Sequence, residues 1–220
     1  RRALSEEEAD APAEDLGRSP VIHAFRHHKR DILRVAGLAL GPGAGFYILF
    51  VFSISYLTDR MHLSAASAMD INTLCMVVLV AMPIASAAAS DVIGRKTALL
   101  LPTVLFILAT VPLWTLMHHQ SLTLVLLGQL GFSVLVGWIF GVSPVAMVEA
   151  VPRRVRVSVL SVGYNVTLAL FGGTAPAVAT FLIARTGDDF APAYYMMALC
   201  ALSLLAMLTL RETAHRPLAR

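Results

Sequence analysis

Apolar residues run along this chain in six long blocks that are separated by short polar segments. Each block is about 20 residues long, which is the length that an α-helix needs to cross the hydrocarbon core of a bilayer. The pattern predicts an all-α integral membrane protein with transmembrane helices at 35–57, 67–89, 97–116, 122–147, 158–183 and 192–210.

The residues before and after the blocks divide into three segments. Residues 1–18 are polar and acidic, so we expect a disordered cytoplasmic linker. Residues 19–34 begin with Ser-Pro and place apolar residues at helical spacing beside basic ones, which predicts an amphipathic helix on the cytoplasmic membrane surface. Residues 211–220 are expected to form a cytoplasmic tail. Because the chain begins Arg-Arg without Met, we expect a fragment of a longer protein.

The composition agrees with a membrane protein, and the charges indicate its orientation. The chain is 57% hydrophobic and 14% charged, whereas about a quarter of a soluble domain is charged. Of its 17 Lys and Arg residues, all but Arg60 and Arg185 fall on one side of the predicted topology. Short basic loops stay in the cytoplasm, so both termini are expected there. The basic charge is therefore attributed to topology, and no nucleic-acid partner is expected.

Cys75 and Cys200 both lie inside apolar blocks, where cysteine commonly acts as a small hydrophobic residue. We therefore expect no disulfide, no metal site and no cofactor. In the first block Gly37, Gly41 and Gly45 recur at intervals of four, a spacing that allows another helix to approach closely.

A short charged segment, Ser90–Lys96, joins the second and third blocks. Asp91 is suited to cap the third helix and to interact with its dipole, while Gly94 permits the chain to turn. Arg95 and Lys96 would hold this loop in the cytoplasm. An equally good interpretation makes the same charges a gate that pairs with another helix bundle in one conformation and separates in the other.

Polar residues within the blocks are candidates for a binding cavity. Asp70 is the one acid clearly inside a block, and an intramembrane carboxylate is a functional candidate by default. The alternative places Asp70 in solvent at the outer interface, beside Arg60. Asn72 and Gln129 are weaker candidates of the same kind. On the fifth block Ser161, Asn165 and Gly172, together with Ser158, share one helix face, which would turn toward a partner helix or a water-filled cavity.

The segment from Ala87 to Lys96 resembles the Gly-x-x-x-Asp-Arg-x-Gly-Arg-Arg/Lys signature of the major facilitator superfamily, in the weaker copy found between helices eight and nine. Asp91, Gly94, Arg95 and Lys96 match the signature, while Ala87 and Val92 replace its first Gly and its first Arg.

Four further segments carry the resemblance. Residues 149–156 are similar to the Glu-x-x-Pro-x-x-x-Arg loop between helices ten and eleven, matching at Glu149, Pro152 and Arg156. Residues 163–176 resemble helix eleven of the metabolite:proton symporter family, and 191–195 and 211–217 resemble the two ends of helix twelve. Glu149 is expected to pair with Arg153 or Arg156 rather than to carry protons.

This resemblance implies the C-terminal half of a twelve-helix fold, with a missing N-terminal six-helix half as its partner in the lipid bilayer. It implies a secondary active transporter of a bacterial plasma membrane that carries a small polar metabolite, an osmolyte or an organic acid, together with a proton by alternating access. The first and fourth helices would then line the cavity, with Tyr47 and Trp138 near mid-membrane. The alternative for both aromatic residues is packing between helices.

Two other functional classes compete with a transporter. One is a six-helix protein that assembles with itself or transports nothing. The other is an intramembrane enzyme, but the chain lacks His-Glu-x-x-His and Gly-x-Ser-x-Gly, and its seven His residues lie outside the blocks or at their ends. We therefore do not expect an enzyme.

Overall fold

The computed structural model describes residues 28–210 and Glu212. Within that part of the chain, six helices are long and apolar enough to cross a membrane, and the predicted all-α fold class is confirmed. They are α1 (Lys29–Asp59), α2 (Ala65–Ile93), α3 (Arg95–Met117), α4 (Leu122–Ala150), α5 (Arg153–Thr186) and α6 (Ala191–Leu208). The helices alternate in direction, so one end of the bundle carries the α2–α3 turn. We call it the hairpin end and the opposite one the far end.

Most of these helices extend past the blocks that the apolar pattern marked. Residues 29–34, which the sequence placed in a separate surface helix, form the first turns of α1. The remainder of that predicted helix, the predicted linker 1–18 and the predicted tail apart from Glu212 lie outside the described residues. The helices continue past the apolar blocks because polar residues at their ends, such as Lys29 and Arg30 in α1, remain helical where the apolar pattern stops.

Two of the helices contain a π-helical segment. In α1 it spans Tyr47–Phe52 and follows Pro42, and in α5 it spans Leu168–Gly172 and precedes Pro176. Proline lacks an N–H donor, and π segments change the partners of backbone carbonyls, so both features free carbonyl oxygens from the regular ladder. Such segments are frequent at functional sites, and the α1 segment holds one of the polar clusters described below.

The first helix packs closely on α6 through its small residues. A Cβ on Gly37 would lie 2.3 Å from the Cβ of Ala206, and one on Gly41 would lie 2.9 Å from Ser203 Oγ. The Gly41 N–H donates to this same hydroxyl at 2.7 Å. In lipid, apolar burial does not drive helices together, so close contact of small residues and interhelical hydrogen bonds stabilise the pair. The glycine spacing thus predicted a real helix contact.

The fourth helix lies against both α2 and α3. A Cβ on Gly137 would lie 2.9 Å from Leu79 O, and one on Gly141 would lie 2.0 Å from Ser86 Oγ and 2.6 Å from Pro83 Cα. Glycine is therefore required at both positions if α2 and α4 are to stay this close.

Buried apolar side chains form two clusters, one toward each end of the bundle. The far-end cluster is rich in aromatic rings and includes Tyr56, Phe106, Trp114 and Phe132. The hairpin-end cluster is mostly aliphatic and includes Leu38 and Leu99. Polar groups lie among and around these clusters, and they form the candidate sites.

Candidate functional site

The turn between α2 and α3 is capped by a residue from beyond α6. Gly94 has φ of +93°, a conformation that side chains disfavour, and a Cβ there would lie 2.6 Å from Glu212 Oε2. The Glu212 carboxylate accepts the Arg95 N–H at 2.8 Å and the Lys96 N–H at 3.1 Å. These are first-turn donors of α3 that lack partners within the helix, and the positive end of its dipole favours an anion.

This arrangement corrects the expected role of Asp91, which lies in the last turn of α2 and does not cap α3. The Lys96 ammonium donates to Leu208 O at 2.9 Å and so ties α3 to the end of α6. Sequence reasoning missed Glu212 because its partner helix is distant in the chain. The only signal was an acid in the segment resembling the end of helix twelve.

Arg95 joins the hairpin to the end of α4. Its side chain contacts Asp91 Oδ1 at 2.5 Å, donates to Ser90 Oγ, and places Nε 3.6 Å from Glu149 Oε1. The Arg95 and Glu149 side chains are 15% and 16% exposed, whereas Asp91 is 63% exposed. The Glu149 contact exceeds hydrogen-bond distance, and Arg95 Nε has no hydrogen-bond partner in the described part of the chain. The ion pair can therefore tighten.

The second loop departs from expectation in its pairing. Glu149 was expected to pair with Arg153 or Arg156, but the structure places its carboxylate beside Arg95. Arg156 instead turns back and donates from Nε to Val151 O at 3.1 Å, just past the end of α4. Arg153 is exposed in the short turn that Pro152 opens. The two loops singled out by the sequence thus meet through one Arg–Glu contact.

A second polar cluster lies inside the bundle, between α1, α2 and α4. The Gln129 side chain is fully buried, and its Nε2 donates to Leu49 O and to Asn72 Oδ1, both at 3.0 Å. Leu49 O lies in the π segment of α1 and also accepts from Ser53 Oγ at 2.6 Å. Gln129 Oε1 has no hydrogen-bond partner among the residues that the structure describes.

This cluster brings two sequence candidates together and adds an acceptor that was not anticipated. Gln129 and Asn72 were chosen singly as polar residues in apolar blocks. The Leu49 carbonyl became available because the helix changes to π geometry, which the side-chain pattern does not reveal.

Tyr47 and Gly172 also meet, at the two π segments. A Cβ on Gly172 would lie 2.8 Å from ring carbons of Tyr47, so the tyrosine ring lies directly on this glycine. Ser161 and Asn165 do not join this contact. They are exposed on the surface of α5, away from the buried face formed by Val159, Gly163 and Thr167.

Trp138 lies against α3. Its Nε1 donates to Ala98 O at 3.1 Å, and its ring packs on the hairpin-end apolar cluster. Because the only N–H of the indole is engaged by a neighbouring helix, this geometry favours packing between helices over contact with a ligand.

Asp70 is exposed and lines a cavity of about 220 Å³ between α2 and α4 at the far end, together with Ser67 and Thr123. This exposure agrees with the alternative of a solvated carboxylate at the outer interface, and Arg60 Nε itself lies 3.4 Å from Asp189 Oδ1. Among the described residues, no group of three or more His, Cys, Asp or Glu side chains could hold a metal ion.

Comparison with known proteins gives a consistent result over nearly the whole chain. The family model described as "Sugar (and other) transporter" matches residues 25–220. The glycine betaine/proline/ectoine/pipecolic acid transporter OusA of Dickeya dadantii is 28% identical over 192 residues, which cover 87% of this chain and 38% of that protein.

Two further relatives agree. The ectoine/proline transporter ProP of Corynebacterium glutamicum is 28% identical over 216 residues, or 98% of this chain and 42% of the relative. The proline/betaine transporter of Escherichia coli K12 is 27% identical over 189 residues, or 86% and 38%. The chain spans about two fifths of the length of these curated relatives.

Proposed function

Because the chain belongs to the sugar (and other) transporter family of the major facilitator superfamily, we propose that it is one six-helix half of a secondary active transporter for zwitterionic osmolytes. The family and the names of its relatives indicate a transporter and not an enzyme. The observation that carries the substrate class is that relatives covering most of the chain are named for betaine, proline and ectoine. Each of these molecules carries one positive and one negative group, so an osmolyte is favoured over an organic acid.

Alternating access against a second six-helix unit is the mechanism we propose, as in the transporter folds built from repeated halves. The contact between Arg95 and Glu149 would act as a gate at the hairpin end, since it joins two loops and is not fully closed at 3.6 Å. The fully buried Gln129 amide, with its unpartnered Oε1, supplies a polar group inside the bundle that a conformational change would expose to substrate or water.

The orientation follows from the charges. All but two of the Lys and Arg residues belong to segments that the predicted topology groups with the α2–α3 turn, so we place the hairpin end and both termini in the cytoplasm. The protein is a multi-pass membrane protein, and its bacterial relatives support the plasma membrane.

Proton coupling is the driving force we propose, and Asp70 is the candidate proton carrier in this half. It is exposed in a cavity at the far end, which the proposed orientation opens to the periplasm or cell exterior. A carboxylate at this depth can exchange protons with the outer solution.

The test uses the complete gene product in proteoliposomes. Uptake of radiolabelled glycine betaine, proline and ectoine is measured with and without an inward proton gradient, beside a dicarboxylate as a control substrate. We expect uptake of the zwitterions to rise with the gradient and the dicarboxylate to be excluded. Zwitterion uptake at the same rate with and without the proton gradient would refute proton coupling. The absence of uptake of all three zwitterions would refute the substrate class. An Asp70→Asn variant with unchanged pH dependence would remove Asp70 as the carrier.

A further inference from the structure

A second cavity lies at the far end, between the last turns of α1 and the corresponding part of α5. Its volume is about 160 Å³, and its lining includes Phe52, Tyr56, Asp59, Arg60 and Thr180. None of these residues belongs to the polar clusters described above, and neither the hairpin gate nor the Gln129 cluster reaches it.

The lining places opposite charges side by side. Asp59 ends α1 and Arg60 follows it directly, so the cavity holds a carboxylate and a guanidinium at neighbouring positions. Arg60 is paired through Nε with Asp189 Oδ1 at 3.4 Å, which exceeds hydrogen-bond distance, and its side chain is 47% exposed. A guanidinium has five N–H donors, so Arg60 keeps donors for a carboxylate ligand while it stays beside Asp189.

Much of the remaining lining is apolar. Phe52 and Tyr56 form an aromatic pair with ring centroids 5.9 Å apart. The Tyr56 hydroxyl lies 2.7 Å from His118 Nδ1, so it is already engaged and the ring contributes an apolar wall. The two rings are only 7% and 1% exposed, so they close the floor of the cavity, and the Asp59 carboxylate supplies the negative charge for a cation.

From this combination we propose that the α1–α5 cavity is a second binding site for a zwitterionic osmolyte, with Arg60 holding the carboxylate and Asp59 holding the cationic group above the aromatic floor. The inference rests on the proposed function for its choice of ligand, and the lining of this site is distinct from the Arg95–Glu149 contact and from the Gln129 cluster. Its position at the far end makes it a capture site that fills from the outer solution before substrate enters the transporter.

The experiment measures equilibrium binding of radiolabelled glycine betaine to the complete gene product in lipid nanodiscs. Wild-type protein is expected to bind two molecules per chain. Asp59→Asn and Arg60→Gln should each weaken one site about tenfold or more, because each removes one charge-assisted contact, so that stoichiometry falls to one over the same concentration range. Arg185→Gln is the matched control, since Arg185 is an exposed arginine at the same end that does not line the cavity.

Competition identifies the chemistry of the site. Choline carries only the cation and acetate only the carboxylate, so neither should displace betaine from this site as well as proline does. Betaine binding that Asp59→Asn and Arg60→Gln leave unchanged in number and affinity would overturn the second site. Failure of the proposed function appears differently, as an absence of osmolyte uptake by wild-type protein, in which case the cavity alone would bind one betaine that both charge variants lose and Arg185→Gln keeps.

Discussion

Arg95 offers the sharpest test of how the hairpin end is held together, because its two carboxylate partners differ greatly in burial. Asp91 is 63% exposed, whereas Glu149 is 16% exposed. An exposed ion pair one helical turn apart contributes about 0.5 kcal/mol, whatever its distance. The short Asp91 contact is therefore expected to be the weaker one in free energy.

The Glu149 contact is longer but lies where solvent screens less. At 3.6 Å and an effective dielectric constant of about 20, Coulomb attraction amounts to about 5 kcal/mol. Much of this is offset by the cost of desolvating both groups, yet removing one partner of a buried pair costs about 3 kcal/mol because the other charge stays buried. We expect Arg95→Gln to destabilise most, Glu149→Gln less and Asp91→Asn by about 0.5 kcal/mol.

Thermal unfolding of the purified variants in detergent measures this order of stabilities. Uptake assays on the same variants measure the effect on transport. Arg153→Gln is the control, since it removes an exposed positive charge from the neighbouring loop. If Asp91→Asn lowered the unfolding temperature as much as Glu149→Gln, the argument from burial would be wrong. If Arg95→Gln changed stability but not transport, the contact would be structural and would not serve as a gate.

Two further predictions concern α4. Gly141→Ala should destabilise the bundle by about 1–3 kcal/mol, because the added Cβ would lie 2.0 Å from Ser86 Oγ. Gly45→Ala in α1 is the control and should not destabilise it, since its Cβ would lie 3.7 Å from the nearest neighbour. Equal unfolding temperatures of the two variants would contradict this prediction. Gln129→Leu should reduce osmolyte uptake while changing the free energy of unfolding by only about 1 kcal/mol, since the amide oxygen has no hydrogen-bond partner in the described part of the chain. Uptake equal to that of wild type would show that Gln129 has only a packing role.

The sequence was sufficient for the features that depend on local composition. Six apolar blocks predicted six helices, and the interval of four between Gly37 and Gly41 predicted a close helix contact, which α6 provides. These predictions succeed because bilayer thickness and helix geometry are the same for every chain.

Other features depend on which distant residues fold together, and the sequence did not determine them. Asp91 was a sound candidate to cap α3 until Glu212, from the opposite end of the chain, supplied two hydrogen bonds to the same helix end. Glu149 was likewise predicted to pair with an arginine of its own loop, because those arginines are close to it in sequence. Its contact with Arg95 depends on how α2, α3 and α4 pack, which the sequence pattern does not reveal.

Polar side chains on the surface of α5 bear on the second six-helix unit that we propose. Ser161 and Asn165 are exposed on its surface, while the opposite, apolar face of α5 packs on α1. Polar side chains are costly against hydrocarbon, so such a surface meets protein or a water-filled cavity rather than lipid. The charged contacts of Arg95 and Glu212 at the hairpin end by contrast lie within the bundle itself. A bundle whose hairpin-end contacts lie within itself, while polar side chains on α5 stay exposed, would suit the alternating access that we propose, in which it moves as a rigid unit against a second one.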